Sequence, residues 1–273
     1  MTTWTVGDVR IVRIVDLEVD LPAGRPVPDW CVPAFANGRG EVGLAFSAFG
    51  IFSAGRRIVV DPWLANDGPR GREGAAAVAE RLLHELAEAG FAAGEVDAVV
   101  NTHLDGIGWN TRPAPHGGAW VPSFPNARYH WSAIQLDRRA ADDRLVPLLA
   151  ADVIDAVAPG DQLTSEVRVQ DAPGHERGHL AVRIDSGGQV AIIPGHLFLS
   201  PLQVADPAIP FDEDQVTAAD TRTRLLNDLA DRQGLLLSPL LGGPGGGVVR
   251  RAGRGWCLDA CAPPAPGAVA GPT

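Results

Sequence analysis

The sequence predicts an α/β sandwich, with two mixed sheets packed face to face and helices on the outside. Three observations predict it. Strand-like and helix-like runs alternate through two successive halves of the chain. Hairpin signals are more frequent than a purely parallel βαβ protein would show. Of the 273 residues, 45% are apolar, enough to bury a full core.

The elements follow in order. The run from Val9 to Val15 alternates and is interrupted by Arg10 and Arg13. It therefore reads as a first strand over residues 8–16 and not as a secretion signal. Residues 21–40 are rich in Pro and Gly, carry Trp30 and Phe35, and read as a loop or short lid. Residues 42–52 and 56–61 form a hairpin that turns at Ser53-Ala54-Gly55. Val78, Leu82, Leu83 and Leu86 are spaced as on one helix face, so Glu73 to Gly90 is read as a helix that stops at Gly90. Val96–Asn101 is a buried strand. Asn126–Trp131 is a short strand and Asp142–Ala151 a helix. Residues 167–171, 180–184 and 189–193 are strands, the last two joined at Ser186-Gly187-Gly188. Glu213–Arg232 is helical, with Val216, Leu225, Leu226 and Leu229 predicted to face inward. Leu235–Leu237, Val248–Arg250 and Trp256–Leu258 close the fold. One domain over residues 1–261 and a flexible Pro/Ala/Gly-rich tail over 262–273 are expected.

Bulk properties exclude several function classes. A net charge of −10 disfavours nucleic acid and anionic membranes, because phosphate contacts need clustered cations. No apolar run reaches the roughly 20 residues of a membrane helix. The three Cys form an odd set, and Cys257 and Cys261 lack two further zinc ligands nearby. A reducing cytoplasmic location is expected. The partner is expected to be a small-molecule substrate, and exposed Trp-rich loops would permit a homodimer.

The chemistry is concentrated in four segments, in chain order. The first is Arg56-Arg57-Ile58-Val59-Val60-Asp61. The second is Val99-Val100-Asn101-Thr102-His103-Leu104-Asp105-Gly106-Ile107-Gly108-Trp109-Asn110, followed by Trp120-Val121-Pro122-Ser123-Phe124-Pro125-Asn126. The third is Ala172-Pro173-Gly174-His175-Glu176-Arg177-Gly178-His179, and the fourth Ile192-Ile193-Pro194-Gly195-His196-Leu197. Each motif is short, but their order over most of the chain is specific. Together they resemble the metallo-β-lactamase superfamily, in its lactonase-like branch, whose loop reads Thr-His-x-His-x-Asp-His-x-Gly-Trp-Asn.

The resemblance implies an αββα sandwich and hydrolysis assisted by two adjacent metal ions on His and carboxylate ligands. Residue by residue, this chain keeps His103, Asp105 and His175. It lacks two His of the loop, carries His196 at the place of the bridging Asp, and places Leu240 where the last His is expected. A normal two-ion site is therefore not expected. His103, His175 and His196 could hold a single Zn²⁺, with Asp105 orienting a ligand or acting as a base. The alternative is a pocket with no metal cofactor. It is placed first here, because tetrahedral ligation tolerates little misplacement. In that pocket His103, Asp105, His175 and His196 form an acid/base cluster suited to elimination, dehydration or cyclisation. Trp63, Trp109, Asn110 and Glu176 are expected at the substrate-binding rim. The composition also suggests specialised (secondary) metabolism. Two further readings stay open: a mononuclear-zinc hydrolase of an ester, lactone or thioester, and a non-catalytic binding protein. His179 is expected to be a buried hydrogen-bonding residue, while His84, His116 and His130 are expected on the surface or in the core.

Overall fold

The computed structural model describes residues 1–62, 71–104, 108–114, 119–138 and 145–260, with only the backbone of 71–76. Trp63, Asp105, His116 and the tail after Ala260, all named above, lie outside the described residues.

Among the described residues, one sheet has seven strands in the order β1-β2-β3-β4-β5-β8-β9. These are β1 (Thr2–Val6), β2 (Val9–Pro22), β3 (Glu41–Ser53), β4 (Arg56–Val60), β5 (Ala98–Val100), β8 (Arg128–Ser132) and β9 (Ile154–Val157). A second sheet orders six strands consecutively: β10 (Val167–Asp171), β11 (Leu180–Ser186), β12 (Gln189–Ile193), β13 (Leu235–Leu237), β14 (Gly246–Ala252) and β15 (Gly255–Asp259). The short strands β6 (Thr111–Pro113) and β7 (Trp120–Pro122) pair with each other. The helices are α1 (Gly71–Glu88), α2 (Ala133–Arg138), α3 (Val146–Ala150), α4 (Leu202–Ala205) and α5 (Gln215–Arg232).

Alternation along each strand builds the layers. In β4, Ile58 and Val60 face the second sheet while Val59 faces the layer of α1. In β12, Ala191 and Ile193 face the first sheet while Ile192 packs with Leu225, Leu226 and Leu229 of α5. Three apolar layers result: α1 against sheet one, sheet against sheet, and sheet two against α5. This is an αββα sandwich, as the sequence predicts.

The differences are local. Thr2–Val6 forms an unanticipated strand, turned into β2 at Gly7-Asp8. The helix α2 and the edge strand β9 were also unanticipated; both are short, and β9 alternates weakly. Val216, predicted to face inward, is 74% exposed. It sits in the first turn of α5, before the buried stripe that starts at Ala218.

Parallel register places the site. Val60 pairs with Val100 and Val100 with His130, and β8 runs two residues further to Ser132, level with the segment after β5. Asp61, Asn101 to His103 and Ser132 therefore emerge together, at the carboxyl ends of parallel strands where α/β sheets commonly bind ligands.

Candidate metal centre and active site

Three histidines from three strand ends converge. His103 follows β5, His175 follows β10, and His196 follows β12. Each can offer one ring nitrogen such that the three atoms lie within 4.8 Å of one another. His103 Nε2 and His196 Nδ1 are 3.0 Å apart. The ring centroids of His103 and His175 are 5.3 Å apart, and those of His175 and His196 5.7 Å.

Each ring is held from behind. Asp61 accepts from the Thr102 N–H at 2.7 Å and from the Thr102 hydroxyl at 2.9 and 3.1 Å. The Thr102 oxygen lies 3.0 Å from His103 Nδ1. When Asp61 is ionised and takes the Thr102 hydroxyl proton, that oxygen accepts from His103 Nδ1–H. This order of bonds assigns His103 Nε2 as the lone-pair nitrogen turned to the cluster. Burial pushes the Asp61 carboxyl up to about 7, although the bonds from Thr102 pull the other way. Asp61 also has a left-handed φ of 50°, the kind of backbone strain that a site retains.

His175 Nδ1 is 3.2 Å from Asp212 Oδ1, which leaves Nε2 for the cluster. Burial would raise the Asp212 carboxyl. The hydrogen bonds from His175 and Arg222 outweigh it and hold it below the usual range. The His175 loop rests on the start of α5, where Glu213 N–H donates to the His175 carbonyl at 3.0 Å and Asp214 N–H to the Gly174 carbonyl at 2.9 Å.

The turn of His196 is held by close approach. A Cβ on Gly195, whose φ is +56°, would lie 2.3 Å from Thr102 Oγ1 and 2.8 Å from His179 Nε2. Only glycine lets this turn lie against the Thr102–His103 segment. His179 is fully buried and gives Nδ1 to the Ala172 carbonyl at 3.1 Å. Burial first, and then the neighbouring His175 and His196, keeps it well below the ordinary imidazole range, so it is a neutral packing residue.

The remaining expected residues divide. Glu176 is half-buried and accepts from Gln135 Nε2 at 3.1 Å. Gln135 also accepts from the Leu104 N–H at 3.0 Å and donates to the Arg177 carbonyl at 2.6 Å, tying the His103 and His175 loops together. Trp109 and Asn110 are not on an open rim: they are 1% and 0% exposed. Trp109 packs on Phe124, and the Asn110 amide exchanges two hydrogen bonds with Asn101. They brace the wall behind the site. Their side chains are taken up by these partners within the fold.

Sequence reasoning missed Asp212, Arg222 and Gln135. A signal for Arg222 was present: it lies on the same helix face as Leu225, Leu226 and Leu229, where a charge must be paired to be buried.

No family model and no curated protein sequence matches the chain. Solved structures do match its fold. The chain is similar to AidC, a dizinc quorum-quenching lactonase solved with a product, at 20% identity and a TM-score of 0.71, over 94% of this chain and 96% of that one. It is similar to the hydrolase AbOPH of the β-lactamase superfamily at 20% identity and a TM-score of 0.72, with the same coverage. It is also similar to a probable metal-dependent hydrolase from Staphylococcus aureus at 18% identity and a TM-score of 0.66, over 86% of this chain and 90% of that one. The chain has the metallo-β-lactamase fold.

The histidines fit a metal ion in donor type and nearly in spacing. Zinc–nitrogen bonds of about 2.0–2.1 Å in a tetrahedron place ligand nitrogens about 3.4 Å apart. The observed pair separation of 3.0 Å and the outer limit of 4.8 Å lie on either side of that value. Small rotations of rings already oriented by Thr102 and Asp212 would close the set.

Proposed function

We propose that this protein is a hydrolase of a small organic ester, lactone or thioester, using one zinc-class ion held by His103, His175 and His196. The observation that carries this is the convergence of three imidazoles, within 4.8 Å, in the fold of metal-dependent hydrolases. It moves the reading away from the metal-free pocket placed first on sequence grounds. A zinc ion bound there would supply Lewis-acid polarisation of a carbonyl oxygen and acidify water toward neutrality. The chain's own residues do the rest. Thr102 and Asp61 fix the His103 ring, and Asp212 fixes His175. Gln135 holds Glu176, the neighbour of His175 in the chain, and that carboxylate would take a proton from the attacking water and, once protonated, return it to the leaving oxygen.

One observation favours a second reading. The direct His103–His196 hydrogen bond is a complete arrangement without metal, and it suits proton transfer in elimination or cyclisation.

Metal analysis of protein purified without a His-tag separates the two. About one zinc per chain, lost in His103→Ala and His196→Ala, is expected, together with turnover of an ester and lactone panel. Absence of binding after zinc incubation would overturn the hydrolase reading and leave the acid/base one.

A further inference from the structure

We propose that Arg222 and Asp212 form one positioning device that sets His175 and His196 relative to each other. The inference rests on the histidine cluster being the functional centre. Both side chains are buried, Arg222 to 1% and Asp212 to 0% exposure. Arg222 Nη2 donates to both Asp212 oxygens at 2.8 Å, and Asp212 Oδ1 in turn faces His175 Nδ1. Arg222 Nε donates at 2.5 Å to the carbonyl of Leu197, the residue after His196. Its Nη1 reaches the Pro207 carbonyl at 3.2 Å, and the guanidinium lies 5.9 Å from the Phe198 ring centre.

One cation on α5 thus holds two of the three histidine segments. The other residues on this face of the helix are Ala, Thr and Leu, and an apolar residue at 222 would pack there without desolvating an ion pair. The ion pair is better explained by what it orients. A guanidinium can span the Leu197 carbonyl and the Asp212 carboxylate at once, whereas an ammonium is a point charge and cannot. Asp212 selects the His175 tautomer protonated at Nδ1, which keeps Nε2 turned toward His103 and His196.

The test uses wild-type protein, Asp212→Asn and Arg222→Lys. Nitrogen-15 spectra of the metal-free protein report each histidine's tautomer, chelator competition reports zinc affinity, and circular dichroism reports folding. His175 is expected to carry its proton on Nδ1 in the wild type. Both variants are expected to fold and to bind zinc about 10- to 100-fold more weakly, and Asp212→Asn is also expected to lose that preference. Folded variants with wild-type affinity and an unchanged tautomer overturn the proposal. If neither variant folds, the wild-type spectrum decides alone: a proton on His175 Nε2 overturns it. A wild-type protein that binds no zinc sinks the hydrolase reading, while the tautomer still decides this one.

Discussion

Gly174 is where the His175 loop meets α5, and replacing it tests how the site is held. Its φ is +124°, and an added Cβ would lie 2.2 Å from Ala218 N, 2.3 Å from Ala218 Cα and 2.7 Å from Ala218 Cβ. Carbon atoms pack at about 3.5–4.0 Å, so loop and helix must separate by about 1 Å or more. Gly160 supplies the control: its φ is +102°, and nothing lies within 4 Å of an added Cβ. Both Ala variants carry backbone strain on the order of 1–3 kcal/mol. Only Gly174→Ala adds overpacking, about 1–3 kcal/mol more. At about 2–4 °C per kcal/mol, its melting temperature should fall below that of Gly160→Ala by about 2–12 °C. The displaced segment carries His175, so zinc affinity should drop in Gly174→Ala and stay unchanged in Gly160→Ala. Calorimetric melting with parallel zinc titration reads both effects. Equal melting temperatures and equal affinities would refute the account of the His175 loop as packed on α5.

Further predictions concern the core and pH. Leu226 is fully buried under sheet two, and Leu226→Ala should cost about 2–5 kcal/mol in urea unfolding, whereas Val216→Ala on the exposed first turn should stay within about 0.5 kcal/mol. Asp61 has a folded pKa of about 7 against an ordinary 3.8. A raised acid is penalised fully above about pH 7, and the penalty fades as pH falls toward 4. This group therefore favours folding on acidification, by up to about 4 kcal/mol at about 1.4 kcal/mol per unit. Asp61→Asn removes that dependence, so the stability difference between wild type and variant should change between pH 4.5 and 7.5. A constant difference contradicts an unionised Asp61 in that window.

The layers were legible because their cause is periodic. Alternation in β4 and β12 and the Leu225–Leu226–Leu229 stripe of α5 each state which face is buried, and the structure follows them. The turns at 53–55 and 186–188, each ending in Gly, gave the hairpin register. The cluster of His103, His175 and His196 was legible through motif order alone. What the sequence did not reveal is how those rings are oriented. Asp212 lies in an acidic run before α5 that reads as a helix start, and indeed Asp214 caps it through Thr217. Nothing in the run marks Asp212 as the member that turns inward. The partners of Trp109 and Asn110 were hidden for a related reason. Adjacent polar and aromatic residues after a ligand loop suggest a rim, yet in the fold Trp109 packs on Phe124 and Asn110 pairs with Asn101.

The choice between one ion and two turns on Leu240. This residue stands where the resemblance expects the last histidine, and it is 2% exposed. Its carbonyl accepts from Ala45 N–H at 3.0 Å and its N–H donates to Ser238 Oγ at 3.2 Å. The segment is thus firmly held, with an apolar side chain at the position where the resemblance expects a donor. A second dication deprived of that ligand would lose compensation for its desolvation. His196, where the resemblance expects the bridging Asp, fits the proposed one-ion reading, since a neutral imidazole gives one ring nitrogen where a carboxylate can span two ions. His196→Asp should therefore not restore a family-like centre. Leu240 and the shortened loop stay as they are, and the cluster falls from three imidazoles to two. Zinc should bind more weakly in His196→Asp, at no more than one ion per chain, by chelator competition and metal analysis. A stoichiometry rising toward two would refute the one-ion reading, because it would show that the second position lacked only its carboxylate.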